Sequence, residues 1–246
     1  MSIRTAVAAS AALGFLAGRL TTRRTIRRLT REATDLRSDA DLLQRLLASA
    51  WYRAYYDPLS GLPNRALAAK RFRGRKVANR PTLLTLIDLD RFKHINDSHG
   101  HHVGDDLLRI TAERLAVATK NHRGTAARLA GDEFLLLLPA DTDPGQLIAG
   151  ILAGLAAPVT VHTDDRDIIV HPSASAGTAV YDGGYATFET LLRHADIALY
   201  HAKQQPGIHR RYQPGLRIPR NAGRHGPRLR DHHAGDDATG GGEVTP

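Results

Sequence analysis

Two adjacent acids, Asp132 and Glu133, interrupt a largely apolar part of the chain. Gly131 precedes them, and the segments 125–129 and 135–138 on either side are mostly apolar. This pattern predicts a β-hairpin that carries both carboxylates at its tip. A hairpin that only built a core would not need two charges there, so the pair indicates a site for a cation or a phosphate-bearing ligand.

A second acidic segment lies upstream of this hairpin. Residues 82–87 form a short apolar run typical of a buried strand, and Asp88 follows it directly, with Asp90 two residues later. If the strand and the hairpin are neighbours in one sheet, Asp88 and Asp132 can share divalent cations, which is the arrangement that two-metal phosphoryl or nucleotidyl transfer requires. Asp90 is expected to be a solvent-facing or structural acid rather than a third ligand.

Composition limits the classes of function. The 246 residues are 42% hydrophobic, which is enough for one good-sized core, and the absence of cysteine excludes disulfides and thiolate chemistry. The net charge of +9 lies at the chain ends, since residues 1–56 hold ten arginines against four acids and residues 210–246 hold seven against four. The neutral middle argues against a specific nucleic-acid partner and favours a small nucleotide.

The first 25 residues form a separate N-terminal segment. Residues 5–18 carry no charge and precede an arginine-rich stretch, but fourteen residues fall short of the roughly 20 that a membrane-spanning helix needs. Three readings stay open: a weak membrane anchor, a peripheral helix held by its arginines at anionic lipid, and the start of a soluble helix. The protein is expected to be cytoplasmic, and in the first two readings this segment attaches it to the cytoplasmic face of the membrane.

Residues 26–56 predict a coiled-coil helix. Apolar residues recur every seven positions in two sets offset by three: Ile26, Ala33, Ala40, Leu47 and Ala54, and Leu29, Leu36, Leu43 and Ala50. This pattern favours a parallel homodimer through residues 26–54. A single helix packed on its own domain remains the alternative.

A proline- and glycine-rich linker, residues 57–65, breaks the helix and leads into the main domain. Hydrophobic periodicity predicts helices at 103–119, 144–156 and 188–203, and strands at 159–162 and 168–180. Strands that alternate with helices predict an α+β sandwich, with helices packed on a mixed or antiparallel sheet. From residue 214 to 246 the composition predicts a disordered tail.

Four segments, in this order, resemble the motifs of the bacterial GGDEF domain, the diguanylate cyclase family. They are DPLSGLPNR at 57–65, DLDRFKHINDSHGHHVGD at 88–105, AGDEF at 130–134 and ADIALYHAK at 195–203. The resemblance covers about residues 57–213 and implies a palm-like sandwich of the nucleotidyl cyclase type, with a central, mostly antiparallel sheet. It also implies the reaction, in which two GTP molecules condense to cyclic di-GMP and release two pyrophosphates.

The resemblance implies a metal site and a catalytic centre. Asp88, the carbonyl of Leu89 and Asp132 are the implied ligands of two Mg²⁺ or Mn²⁺ ions per active site. Asp132 would also lie near the attacking 3′-hydroxyl, and Glu133 would assist as a neighbouring acid. Lys93 would stabilise the charge that develops on the phosphates.

The resemblance also implies how GTP is bound. Asn96 and Asp105 resemble the residues that read the guanine edge, where Asp105 accepts hydrogen bonds from the ring N–H and the exocyclic amine. His101 is expected to line the same pocket. Gly131 is expected to lie beside the substrate, and Lys203 to contact the triphosphate from the last helix.

Three positions depart from the family pattern. Ala130 replaces the first glycine of the signature, and its β-carbon is expected to reduce activity or leave it normal rather than abolish it. Asn121 and Gly124 replace the Arg-x-x-Asp pair that binds the product in many members, so no such inhibition site is expected. Residues 206–208 read Pro-Gly-Ile where the family has glycine followed by arginine, which is expected to weaken GTP binding. A catalytically degenerate module that binds GTP or a protein partner remains the alternative function.

Overall fold

The structure is a computed structural model. It describes residues 3–141, 143–163 and 166–219, with the side chains of residues 28, 29 and 31 onward within these ranges. The chain divides into two compact units, Met1–Ala54 and Tyr55–Pro246.

The first unit is helical. Helix α1 (Ile3–Tyr55) runs without interruption for 53 residues, so the backbone does not break between the predicted N-terminal segment and the predicted coiled coil. The leucines of the predicted coiled-coil seam are exposed, with Leu36 69% and Leu47 70% accessible. No helix in the described part of the chain has the length and apolarity that a membrane span requires.

The second unit alternates strands and helices. Its elements are α2 (Arg65–Val77), β1 (Thr82–Leu89), α3 (Phe92–His99), α4 (His101–Asn121), β2 (Thr125–Ala130), β3 (Glu133–Pro139), α5 (Pro144–Leu155), β4 (Val159–His162), β5 (Asp167–Val170), β6 (Ala174–Tyr181), α6 (Phe188–Ala202) and β7 (His209–Arg211). The main sheet has the order β2-β3-β1-β6-β7, and only the β6–β7 pair is parallel. This mostly antiparallel sheet with packed helices confirms the predicted α+β class.

Both faces of the main sheet are buried, because helices cover each of them. Leu83 and Ile87 of β1 face a core formed with α4 and α5, whereas Leu84 and Leu86 face a second core formed with α2 and α6. Burial on both faces explains why β1 reads as a continuous apolar run rather than an alternating one. Packing on both faces therefore fixes the ends of the central strands. Asp88 lies at one of these ends.

Two sequence predictions of secondary structure need correction. The strand predicted at 168–180 is two strands, β5 and β6, because Pro172 interrupts it; β5 pairs with β4 in a separate two-stranded sheet. Helices α2 and α3 and strand β7 were not predicted. Residues 214–219 form no helix or strand, and the rest of the predicted disordered tail lies outside the described residues.

Candidate active site

The two acidic segments meet at the end of two neighbouring strands of the main sheet. Strand β1 pairs antiparallel with β3, which places Asp88 opposite Glu133. One residue beyond, the amide of Leu89 donates a hydrogen bond of 3.4 Å to the carbonyl oxygen of Asp132. The strands are thus neighbours, as a shared site for Asp88 and Asp132 requires.

A two-residue turn carries Asp132. Strand β2 ends at Ala130, β3 begins at Glu133, and only Gly131 and Asp132 lie between them. Gly131 has a φ of +53°, a conformation that glycine adopts without steric cost. Ala130 pairs with Glu133 in the ladder and has no positive φ. Ala130 therefore carries no left-handed backbone strain, and the residue of the turn with a positive φ is Gly131.

The electrostatics of the two aspartates suit a dication. Burial raises the pKa of Asp88 to about 6; the negative charge of Asp132 adds to this shift, and the ammonium of Lys203 opposes it. Burial is also the main cause that raises the pKa of Asp132. Two partly buried carboxylates that disfavour each other's charge gain from a shared cation, and carboxylate and carbonyl oxygens suit Mg²⁺ or Mn²⁺.

The predicted metal ligands are two carboxylates and one backbone carbonyl. Among the described residues, no group of three or more His, Cys, Asp or Glu side chains is arranged to hold a metal ion. A site built on Asp88, the Leu89 carbonyl and Asp132 needs only two such side chains, with substrate phosphates completing the coordination.

Lys203 lies directly against Asp88. Its Nζ donates a hydrogen bond to Asp88 Oδ1, and the two side chains are 29% and 15% exposed. Lys203 follows the last residue of α6, and α6 packs closely on β6 at Gly177. A β-carbon at Gly177 would lie 2.1 Å from the backbone nitrogen of Leu199, so glycine is needed for this approach. Close packing of α6 thereby brings Lys203 to the acids.

The predicted guanine-reading residues lie on two consecutive helices. Asn96 is on α3 and Asp105 is on α4, and the helices are linked by Gly100. The Asn96 side chain lies over Gly104, since a β-carbon at that position would be 1.8 Å from Asn96 Oδ1. This oxygen is buried and has no hydrogen-bond partner among the described residues. A ligand could supply the missing donor only if the Asn96 side chain turned away from Gly104.

The remaining predicted residues lie at the starts of α3, α4 and β3. Lys93 is an exposed residue in the first turn of α3, and His101 is exposed at the start of α4. Glu133 is half-buried at the start of β3. None of these positions conflicts with the role that the sequence implies, and each role stays a prediction.

The chain matches the model of a known protein family over more than half of its length. The model described as "Diguanylate cyclase, GGDEF domain" matches residues 54–208. The chain belongs to the GGDEF domain family. The matched residues begin at the end of α1 and reach the turn before β7, so they include both acidic strand ends and Lys203.

Individual GGDEF proteins show the same relationship. The chain is 35% identical over 183 residues to diguanylate cyclase DgcP of Pseudomonas aeruginosa, covering 72% of this chain and 26% of the relative. It is 38% identical over 165 residues to diguanylate cyclase TpbB of the same organism, covering 64% of this chain and 37% of the relative. The chain thus spans about a quarter to a third of the length of these curated relatives.

Solved GGDEF structures share the fold. The GGDEF domain of TpbB is 35% identical, with a TM-score of 0.58, and the match covers 65% of this chain and 95% of that one. The coiled coil and GGDEF domain of DgcB from Caulobacter crescentus, in complex with c-di-GMP, has a TM-score of 0.66 at 21% identity. That match covers 74% of this chain and 98% of that chain. At this low identity, the similarity to DgcB concerns the fold alone.

Two residues that were not predicted to belong to the site are buried and make contacts beside Asp88 and Asp132. Asp90 is 8% exposed and accepts hydrogen bonds from the hydroxyls of Ser173 (2.7 Å) and Ser175 (2.8 Å), which identifies it as a structural acid. Arg128 donates hydrogen bonds to Asp57 and to the carbonyl of Gly131. No sequence pattern predicted these contacts. Most of them join residues that are far apart in the chain, and the contact between Arg128 and Gly131 is made by a backbone carbonyl.

Gly124 occupies the position where many GGDEF domains carry the aspartate of the Arg-x-x-Asp pair. A β-carbon there would lie 2.4 Å from a methyl group of Leu138 and 2.8 Å from the carbonyl oxygen of Leu137. An aspartate at this position would need a backbone shift. The lack of that product-inhibition site stays a prediction.

Proposed function

We propose that the protein is a diguanylate cyclase, which condenses two GTP molecules into cyclic di-GMP with release of two pyrophosphates. The observation that carries the proposal is the meeting of Asp88 and Asp132 at adjoining strand ends, with Lys203 against Asp88. Partly buried carboxylates with raised pKa values beside a lysine suit metal ions and a polyphosphate better than they suit a solvated turn. Membership of the GGDEF family supports the same activity.

Asp88, the carbonyl of Leu89 and Asp132 would hold two Mg²⁺ or Mn²⁺ ions per active site. When bound, these ions lower the pKa of the attacking 3′-hydroxyl and neutralise charge on the leaving pyrophosphate. The protein contributes a rigid frame, because Asp88 lies on β1 in register with Glu133 and Asp132 lies in the two-residue turn that joins β2 to β3. Glu133 assists as a third acid at the start of β3.

The lysines neutralise phosphate charge. Lys203 extends from the end of α6 to the metal-binding acids and is close enough to exchange Asp88 for a phosphate oxygen. Lys93, exposed in the first turn of α3, supplies a second mobile ammonium. Gly131 leaves the tip of the hairpin without a side chain, and a β-carbon at this position would have no heavy atom within 4 Å, so substrate can approach the backbone there.

Asn96 and Asp105 would select guanine over adenine. The Oδ1 of Asn96 has no partner within the described residues, and a turn of this side chain away from Gly104 would let it accept from the exocyclic amine of guanine. Asp105 accepts from the same edge, and His101 flanks the pocket. A site that is built to hydrogen-bond a substrate discriminates strongly against an analogue that lacks the donors.

A homodimer through residues 26–54 would complete the reaction. Each domain holds one GTP, so two domains must face each other to form the cyclic dinucleotide, and a coiled coil raises their effective concentration. The exposed leucines of the seam, including Leu36 and Leu43, supply the apolar stripe that a partner helix would cover.

The direct test is product formation by the purified full chain with GTP and Mg²⁺, followed by chromatography. We expect cyclic di-GMP from the wild type and from Asp97→Ala, which removes an exposed acid of α3, and none from Asp132→Ala. A folded wild-type protein that binds GTP but forms no product would contradict the proposal and favour a module that only binds GTP or a protein partner.

A further inference from the structure

Asp90 is a buried acid whose contacts reach beyond its own strand. Besides the two serine hydroxyls, its Oδ2 accepts a hydrogen bond of 3.0 Å from the backbone amide of Gly207. Its own amide donates to the carbonyl of Ser173 at 2.8 Å. A buried carboxylate is costly unless several donors satisfy it, so this set of contacts is a specific and rigid arrangement.

Gly207 lies in the turn that connects α6 to β7. The turn begins at Lys203, whose amide donates to the carbonyl of Leu199 at 2.9 Å, and it ends where the carbonyl of Ile208 accepts from the amide of Ala176 at 2.9 Å. Residues 204–207 between these points are exposed to solvent. The turn therefore gains little from packing, and its conformation depends on hydrogen bonds.

Asp90 and Ser175 accept a hydrogen bond near the end of the turn, at Gly207. The amide of Gly207 donates to Asp90 and, at 3.2 Å, to the hydroxyl of Ser175. Gly207 has a φ of +87°, in the left-handed region that a residue with a β-carbon adopts only with strain. The backbone at this point is thus shaped to present its amide to the buried acid.

The two acids at the end of β1 hold the two ends of one turn. Asp88 accepts from the side chain of Lys203, and Asp90 accepts from the backbone of Gly207, four residues later. Lysine has a long side chain with much rotamer freedom, which costs affinity when it is ordered on a ligand. Fixing the backbone from which it extends lowers that cost.

We propose that Asp90 is a positioning residue for Lys203: it anchors the α6–β7 turn through Gly207, so that the Lys203 ammonium is held where the triphosphate binds. The inference rests on the proposed function for the identity of the ligand. Asp90 acts through the turn and touches neither metal nor substrate. Its loss should therefore weaken binding of the triphosphate group while contacts to the guanine base remain.

The test is nucleotide binding by the full chain with Mg²⁺, using 3′-deoxy-GTP, which cannot condense, and GMP. We expect Asp90→Asn, a substitution of equal size, to weaken 3′-deoxy-GTP about tenfold and GMP less than about twofold. Lys203→Met should show the same selective loss. The double variant should be no weaker than Lys203→Met alone, because both changes act through one contact.

Two controls separate positioning from other roles. Asp97→Asn, in an exposed acid of α3, should leave both affinities unchanged. Binding of Mn²⁺ without nucleotide, measured by electron paramagnetic resonance, should be the same in Asp90→Asn and wild type. If Asp90→Asn weakens Mn²⁺ or GMP binding as strongly as 3′-deoxy-GTP binding, or if its effect adds fully to that of Lys203→Met, the proposal is wrong.

A second variant covers the case in which Asp90→Asn does not fold. Gly207→Ala leaves the buried acid intact and strains the turn, so it should show the same selective loss of triphosphate affinity. Unchanged affinity in Gly207→Ala would overturn the proposal. These binding measurements do not require turnover, so they are independent of whether the wild type forms cyclic di-GMP.

Discussion

Arg128 donates a hydrogen bond of 2.8 Å to the carboxylate of Asp57, 71 residues earlier in the chain. Its Nε donates to the carbonyl of Gly131 at 2.9 Å, and the side chain is 10% exposed. Burial acts to raise the pKa of Asp57, but hydrogen bonds from Ser60 and Arg128 outweigh it and hold the pKa below its usual range. Arg128 thus connects the linker that enters the domain to the turn that carries Asp132. Both of these hydrogen bonds are made to residues of the same domain.

We expect Arg128→Lys to lower both stability and turnover. A lysine keeps the charge but cannot reach two acceptors in the fork geometry of a guanidinium, so one contact at least is lost, at a cost of about 1–3 kcal/mol. The loss should appear in the free energy of unfolding by denaturant. The matched control is Arg123→Lys, whose ion pair with Asp141 is 3.4 Å long and exposed on both sides, and which should change stability little. Equal effects of the two substitutions would contradict a special role for Arg128.

Gly104→Ala should reduce guanine selectivity without unfolding the protein. The added β-carbon would coincide with Asn96 Oδ1 at 1.8 Å, and the Asn96 side chain, being flexible, can swing away from it. We expect the preference for 3′-deoxy-GTP over 3′-deoxy-ATP to fall about tenfold, whereas alanine in a helix offsets part of any loss of stability.

The control for this prediction is Gly150→Ala in α5. No heavy atom lies within 4 Å of a β-carbon at Gly150, so alanine should stabilise the helix by about 0.5–1 kcal/mol and leave nucleotide binding unchanged. An unaltered nucleotide preference in Gly104→Ala would show that Asn96 does not read the base.

The raised pKa of Asp88 predicts how stability depends on pH. A carboxyl whose pKa rises from 3.8 to about 6 on folding stabilises the fold fully below about pH 4, and this contribution is lost as the pH rises through about 6. The metal-free wild type should therefore lose stability relative to Asp88→Asn between about pH 4 and 7, by at most about 3 kcal/mol. Thermal unfolding of both proteins across this range measures the difference; a constant difference would contradict the assigned environment.

The stalk prediction is testable with two exposed leucines of α1. Leu36 is 69% exposed and lies in the predicted seam, whereas Leu42 is 56% exposed and lies outside it. Leu36→Ser should raise the dimer dissociation constant and lower product formation at low protein concentration, and Leu42→Ser should do neither. Light scattering after size-exclusion chromatography reports the mass, and equal behaviour of the two variants would argue against this seam.

The sequence predicted the two acids of the candidate site better than it predicted the contacts that hold them in place. Asp88 and Asp132 were recognisable because acids that end apolar runs are conspicuous, and antiparallel pairing of β1 with β3 brings them together. The contacts of Asp90 and Arg128 join residues up to 117 positions apart, and no local periodicity encodes such a pairing. The prediction of one strand at 168–180 was wrong for a local reason. Pro172 separates β5 from β6, and the two strands belong to different sheets.

The stoichiometry of the reaction tests the cyclase proposal most directly. Wild-type protein, GTP and Mg²⁺ should yield two pyrophosphates for each cyclic di-GMP, measured together over time, and Asp88→Asn should yield neither. Pyrophosphate release without cyclic di-GMP, or equal product from Asp88→Asn, would contradict a cyclase centred on Asp88 and Asp132.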